Sequence, residues 1–135
     1  MCGLLEGLQR HGWSDVALIA VETRGAQSLN ESIKAGKLVT LPGITSIAKS
    51  LGATRVAEEA FAWTKRHPVR SVVVSDLSAV EACFRFADQY RTLVEPACGA
   101  ALPLVYDKHA QLDEFRQIVV VVCGGIGVTI QQLLD

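Results

Sequence analysis

Three stretches of this chain carry a continuous apolar run instead of alternating: 16–21 (V-A-L-I-A-V), 70–75 (R-S-V-V-V-S, apolar over 72–74) and 118–123 (I-V-V-V-V-C). A strand with one wet face alternates polar and apolar residues, so unbroken β-branched runs point to strands covered on both faces, as in a parallel sheet. Parallel neighbours cannot be joined by a hairpin; they need a crossover, usually a helix. The segments between the runs have helical spacing, and the chain shows no internal repeat, low-complexity tract or linker-like shift in composition. The fold class that follows is α/β, a partial doubly wound parallel sheet flanked by helices. With 135 residues, one domain fits and two do not.

The helical segments have readable ends. Leu4, Leu5 and Leu8 share a face, and Gly12 stands where a helix stops in the left-handed conformation. Val56, Ala60 and Trp63 form a stripe that His67-Pro68 terminates, because proline disfavours a helical residue before it. Asp76 is a good N-cap for a helix turning Leu77, Val80, Phe84 and Ala87 inward. Pro96 suits a first helical position, with Ala100, Ala101 and Leu104 following, and a last helix spans 128–134. The expected order is α, β, α, β, α, α, β, α. A doubly wound sheet normally begins with a strand and a glycine-rich turn, so an opening helix reads as though both were missing.

Charge and cysteine content narrow the function classes. Thirteen Lys and Arg against fourteen Asp and Glu leave a net charge of -1, which provides no broad field for nucleic acid or anionic lipid. The apolar runs are far below the roughly 18 residues of a membrane span, and no targeting segment is expected. Cysteines at 2, 83, 98 and 123 form no C-x-x-C pair and sit mostly in apolar stretches, so reduced, buried thiols and a cytoplasmic location are expected.

Three constellations could carry chemistry. The first is V-V-V-V-C-G-G-I-G-V-T, residues 119–129, where a run ends in Cys123 and glycines at 124, 125 and 127 turn toward a helix. Open α/β sheets bind ligands beyond the carboxyl ends of their strands, where glycine lets backbone approach the ligand; a plain tight turn beside a buried thiol is an equally ordinary reading. A dinucleotide fingerprint fits poorly, since too few residues follow Gly127 for a ribose-binding carboxylate. The second is V-E-T-R-G-A-Q-S, residues 21–28, where Glu22 with nearby carbonyls could hold a hard cation, although a solvated loop glutamate is commoner. The third is L-V-E-P-A-C-G-A-A-L, residues 93–102, in which Cys98 sits in a first helical turn; the small residues around it favour close packing over reactivity. His11, His67 and His109 have no ligand spacing and read as surface residues. Glu58-Glu59 and Asp113-Glu114 read as solvated faces.

Taken together, residues 93–102, A-G-K-L-V-T-L-P-G-I-T-S-I-A-K-S-L-G-A (35–53), 21–28 and V-V-V-C-G-G (120–125) resemble the L-serine dehydratase/L-threonine deaminase family. These are pyridoxal-phosphate enzymes of the tryptophan-synthase-β-like fold, fold type II. The resemblance covers nearly all of this chain but less than half of a family chain, its C-terminal part. It implies that Cys123 faces the pyridine nitrogen of the cofactor, a neutral partner suited to β-elimination. It further implies that the backbone around Ser50 lies against the ring and that Gly124 approaches its edge. Glu22, with the carbonyls of Ala26, Leu51 and Ala53, would form a monovalent-cation site, potassium in kind.

The resemblance also implies what this stretch does not supply. The Schiff-base lysine, the asparagine loop at the ring hydroxyl and the substrate carboxylate site belong to the family's N-terminal part, and the tetraglycine phosphate cup would fall just before Met1. No residue here is assigned a catalytic role. Where the family has Gly-Gly-Ser/Asn-Asn, this chain has Gly-Gly-Ile-Gly at 124–127. The expectation is the C-terminal portion of a homodimeric enzyme that converts L-serine or L-threonine to a 2-oxo acid and ammonia, inactive as these 135 residues alone. The competing expectation is a non-catalytic homologue acting by association with a full-length partner.

Overall fold

The computed structural model describes residues 1–125 and 127–134. Ile126, in the Gly-Gly-Ile-Gly turn, and Asp135 lie outside the described residues. The chain opens with α1 (Cys2–Arg10), anchored by fully buried Leu5, while Leu4 is half exposed. It is followed by His11 and by Gly12 at φ 72°, the stop that the glycine announces. The strands β1 (Leu18–Thr23) and β2 (Val69–Val74) pair in parallel, in register from Leu18 opposite Val69 to Thr23 opposite Val74.

Between the strands lie α2 (Ser28–Ala35), a 3-10 turn over Lys49–Leu51 and α3 (Glu58–Trp63). The sequence pattern misses α2 because its buried face is Ser28, Leu29, Asn30 and Ser32, mostly small and polar. Polar atoms are satisfied inside: Ser32 Oγ donates to the Ser28 carbonyl at 2.7 Å and accepts the Val39 N–H at 3.0 Å. His67 is not on the surface as expected. It is 7% exposed, its Nε2 lies 2.7 Å from the Val16 carbonyl, and Trp63 meets its ring edge-on at 6.4 Å. That contact ties the end of α3 to the entry of β1.

After β2 come α4 (Asp76–Tyr90), α5 (Pro96–Gly99), α6 (Leu102–Tyr106), a 3-10 turn over Ala110–Leu112 and α7 (Ile130–Leu134). Ser75, not Asp76, caps α4 by accepting the Ser78 N–H at 3.0 Å. The inward face of α4 is Ala79, Ala82 and Cys83, and Leu77 is 66% exposed. Small residues face in because α5 presses close. A Cβ on Gly99 would lie 2.6 Å from the Ala79 carbonyl oxygen and inside contact distance of Cys83 Sγ. The helix expected from Pro96 through Leu104 is broken into α5 and α6.

The third expected strand is not one. Residues 117–125 form no ladder, and among the described residues β1 and β2 pair only with each other. The run has strand propensity, but propensity alone does not make a ladder; the one backbone bond at its end, from the Glu95 N–H to the Gly124 carbonyl, does not extend into one. It is held by side chains instead: Val120 packs on a core of Ala82, Cys83, Val94, Cys98, Leu102 and Leu133, while Val119 is 91% exposed. A second core, Val72, Leu104 and Leu112 with Ile19, Val21 and Val74, joins the sheet to α6.

Candidate functional site

The turn that follows β1 is built for close approach. Gly25 has φ 92°, and a Cβ there would collide with Thr45 Oγ1 and lie 3.0 Å from the Ser46 amide. Only glycine takes that backbone angle without strain while letting residues 45–46 lie on the turn. The Thr45 N–H donates to the Gly25 carbonyl at 3.2 Å. Beside it, Ser46 Oγ donates to Asp76 Oδ1 at 2.6 Å and accepts the Ala48 N–H at 3.0 Å. Thr23 Oγ1 lies 2.7 Å from the same oxygen. The Ile47 N–H donates to Asp76 Oδ2 at 3.1 Å. Since a carboxylate only accepts, the Ser46 proton points to Asp76 and Thr23 is the donor to Ser46. Asp76 opens α4, where negative charge is favoured.

This network delivers Ala48 to the turn that carries Ser50. Ser50 Oγ donates to Glu95 Oε1 at 2.5 Å. Glu95 lies before α5, and its N–H donates to the Gly124 carbonyl at 3.1 Å. Gly125 is pressed against the backbone of Leu93 and Val94, and the Cys123 N–H donates to Cys98 Sγ at 3.1 Å. A cleft of about 300 Å³ opens here, lined by Ala48, Lys49, Ser50, Glu95, Pro96 and Gly127 among others. Cys123 and Gly124 join it through Glu95 without lining it.

Cys123 is exposed, contrary to the expectation of a buried thiol, whereas Cys83 and Cys98 are buried. Burial pushes the Cys83 thiol up to about 11, with the neighbouring Cys98 adding to the rise. Gly124 has φ 136°, and a Cβ there would meet nothing within 4 Å, so its backbone faces open space. Cys98 packs, as its small neighbours suggest.

Glu22 stands apart from the cleft. Its Oε1 accepts the Leu29 N–H at 2.9 Å and its Oε2 the Asn30 N–H at 2.8 Å, in the first turn of α2. Burial raises its pKa, and those two N–H groups oppose the rise. The side chain therefore caps the first turn of α2. Ala26 is fully buried beside it, its N–H donating to the Thr23 carbonyl. Leu51 closes the 3-10 turn, and its carbonyl accepts the Ala53 N–H at 2.8 Å. Among the described residues no group of three or more His, Cys, Asp and Glu could hold a metal ion. The loop 45–53 touches both ends: Gly25 and Thr23 beside Glu22, and Glu95 beside Cys123.

The sequence reading missed Glu95 and Asp76 as site builders. Glu95 lies inside the motif around Cys98, and Asp76 has the character of an N-cap. Their partners, 45 and 30 residues away, leave no local signal.

The family model described as pyridoxal-phosphate dependent enzyme matches residues 1–124. The L-serine dehydratase/L-threonine deaminase of Bos taurus is 48% identical over 142 residues, covering 99% of this chain and 43% of that relative. The serine dehydratase-like protein of Rattus norvegicus is 47% identical over 143 residues, covering 100% and 44%. The crystal structure of a fungal L-serine ammonia-lyase from Rhizomucor miehei superposes with TM-score 0.90 at 36% identity, over 98% of this chain and 44% of that one. Maize serine racemase, at TM-score 0.73 and 22% identity over 96% of this chain and 49% of its own, shares the fold. The chain spans under half the length of the curated relatives it matches.

Proposed function

Since the chain belongs to the family of pyridoxal-phosphate-dependent enzymes, we propose that these residues form the pyridine-end wall of a cofactor pocket in an L-serine/L-threonine ammonia-lyase. The observation that carries this reading is the exposed Cys123 thiol at the end of an extended run, next to a Gly124 backbone that faces open space. A flat ring can approach such a backbone, and a thiol is a weak, uncharged hydrogen-bonding group for a ring nitrogen. The residues present therefore fit the group.

When bound, pyridoxal phosphate withdraws electrons from the substrate Cα so that its proton and the β-hydroxyl can leave. This chain's contribution is positional. Cys123 offers the ring nitrogen a neutral partner, Gly124 allows close approach, and Ser50, held by Glu95, fixes the backbone that would lie against the ring. Glu22, with the carbonyls of Ala26, Leu51 and Ala53, is proposed to hold a monovalent cation, potassium in kind. Filling that site would stiffen the same loop 45–53 that carries Ser50. L-serine or L-threonine as substrate, a homodimer and a cytoplasmic location complete the proposal. The amine that would hold the cofactor covalently is assigned by resemblance to the part of the family not matched here, so the 135 residues alone are proposed to release no pyruvate.

The test is a thermal melt of the purified chain titrated with pyridoxal phosphate, alongside a pyruvate assay. A saturable rise in melting temperature that Cys123→Ala reduces is expected, with pyruvate no higher than the cofactor-only blank. Absence of any rise, or a rise that Cys123→Ala leaves intact, would overturn the pocket. A second reading, association with a longer partner without catalysis, draws on the exposure of the apolar run 118–122, where Val119 is 91% exposed. A monodisperse monomer on gel filtration would count against it.

A further inference from the structure

We propose that Cys98 and Cys123 form a reversible disulfide, making the end of the apolar run a thiol-modification site that controls whether Cys123 can serve a ring; the second half of that statement rests on the pocket proposed above. Cys98 Sγ lies 3.1 Å from the Cys123 amide nitrogen. Adding the N–Cα bond of about 1.46 Å puts that sulfur no more than about 4.6 Å from Cys123 Cα. That is the span which one Cβ and one Sγ bridge in a disulfide. The two chain segments are already fixed against each other. Gly125 abuts the Leu93 and Val94 backbone, and the Glu95 N–H holds the Gly124 carbonyl at 3.1 Å. A cross-link therefore needs a side-chain rotation and no change of fold.

The two thiols also differ in access. Cys123 is exposed, and Cys98 is 6% exposed. A small disulfide such as oxidised glutathione thus reaches Cys123 first. The Cys123 thiolate attacks one glutathione sulfur and breaks that S–S bond, leaving a mixed disulfide and one reduced glutathione. The Cys98 thiolate then displaces the second glutathione and closes the protein disulfide. Two protein S–H bonds are lost, one S–S bond is broken and one formed, and the two protons leave with the two reduced glutathiones. Cys83 is the competing partner for Cys98, but it is fully buried and its thiol is pushed up to about 11, so it stays protonated.

Trypsin places the three cysteines on separate peptides, 71–85, 92–108 and 117–135. The full chain is incubated with oxidised glutathione, alkylated, digested and mapped by mass spectrometry. The expected product is peptide 92–108 joined to 117–135, two hydrogens lighter than their sum and cleaved by dithiothreitol. Cys98→Ser should leave 117–135 as its glutathione adduct, and Cys83→Ser should still give the link. A wild-type map showing only glutathione on Cys123, or a link between 71–85 and 92–108, would overturn the proposal. Because this map needs no cofactor, it stands or falls separately from the pyridoxal-phosphate melt. In the oxidised chain that melt should lose the cofactor-induced rise; a rise of unchanged size would overturn the proposed control over the ring.

Discussion

Replacing Gly125 with alanine tests how the run ending in Cys123 is held. A Cβ there would lie 2.5 Å from the Leu93 carbonyl oxygen, 2.6 Å from Val94 Cα and 2.9 Å from the Leu93 carbonyl carbon. Non-bonded carbons rest roughly 3.5–4.0 Å apart, so relief needs about 1 Å of movement, and every atom met is backbone. Moving residues 123–125 by that much would stretch both the Cys123 N–H to Cys98 and the Glu95 N–H to Gly124 bonds from 3.1 Å to about 4 Å. Two lost hydrogen bonds cost about 0.5–1.5 kcal/mol each, and overpacking typically adds about 1–3. Alanine's smaller unfolded-state entropy returns about 0.4–1 kcal/mol. The net loss is about 1–6 kcal/mol, or roughly 4–20 °C in melting temperature for a domain of this size. The assay is a circular-dichroism melt of Gly125→Ala beside Gly43→Ala, whose new Cβ would meet nothing within 4 Å and which should stay within about 2 °C of the parent. Faster hydrogen exchange at the Cys123 and Glu95 amides should accompany the loss. If Gly125→Ala melts like Gly43→Ala, the segment does not lie where these contacts put it.

Asp76→Ala removes the acceptor of both Ser46 Oγ and the Ile47 N–H, which should cost about 2–3 kcal/mol in a urea titration and speed exchange at the Ile47 amide. Ser75→Ala deletes the cap of α4 and should cost about 1 kcal/mol in the same titration, with the slope unchanged. Glu22 has a pKa raised above 4.5, mainly by burial, so the stability it adds is fully present below 4.5 and is lost as pH rises through the folded value. The melting temperature of the parent relative to Glu22→Gln should therefore be highest near pH 4 and fall toward pH 7. A difference that is flat or rises with pH would remove the burial argument.

Much of the fold was legible because β-branched runs and helix stops are local. The first two runs became β1 and β2, displaced by two residues and one, since parallel register follows the partner strand and not the composition. The third run shows the limit of propensity: among the described residues its four consecutive valines form no ladder. Helix α2 escaped notice because its inward face spends its polarity on internal partners such as Val39 and Ser71. His67 escaped for the same reason, its Nε2 being satisfied by a carbonyl 51 residues away. Cys123, Gly124, Ser50 and Glu22, the residues proposed for the site, stand out through ordered motifs. That Ser50 leans on Glu95 while Glu22 caps a helix does not, because hydrogen bonds to distant carboxylates leave no periodicity behind.

The shared hydroxyl of Ser46 has one hydrogen to give. With a carboxylate at 76 the hydrogens orient from Thr23 through Ser46 to Asp76, so each one ends on a lone pair. An asparagine of the same shape could turn its amide toward Ser46 and reverse the whole row. Thr23, fully buried, would then hold a hydrogen aimed at nothing among the contacts described for it. The row thus runs one way only, and a single atom at the start of α4 sets its sense.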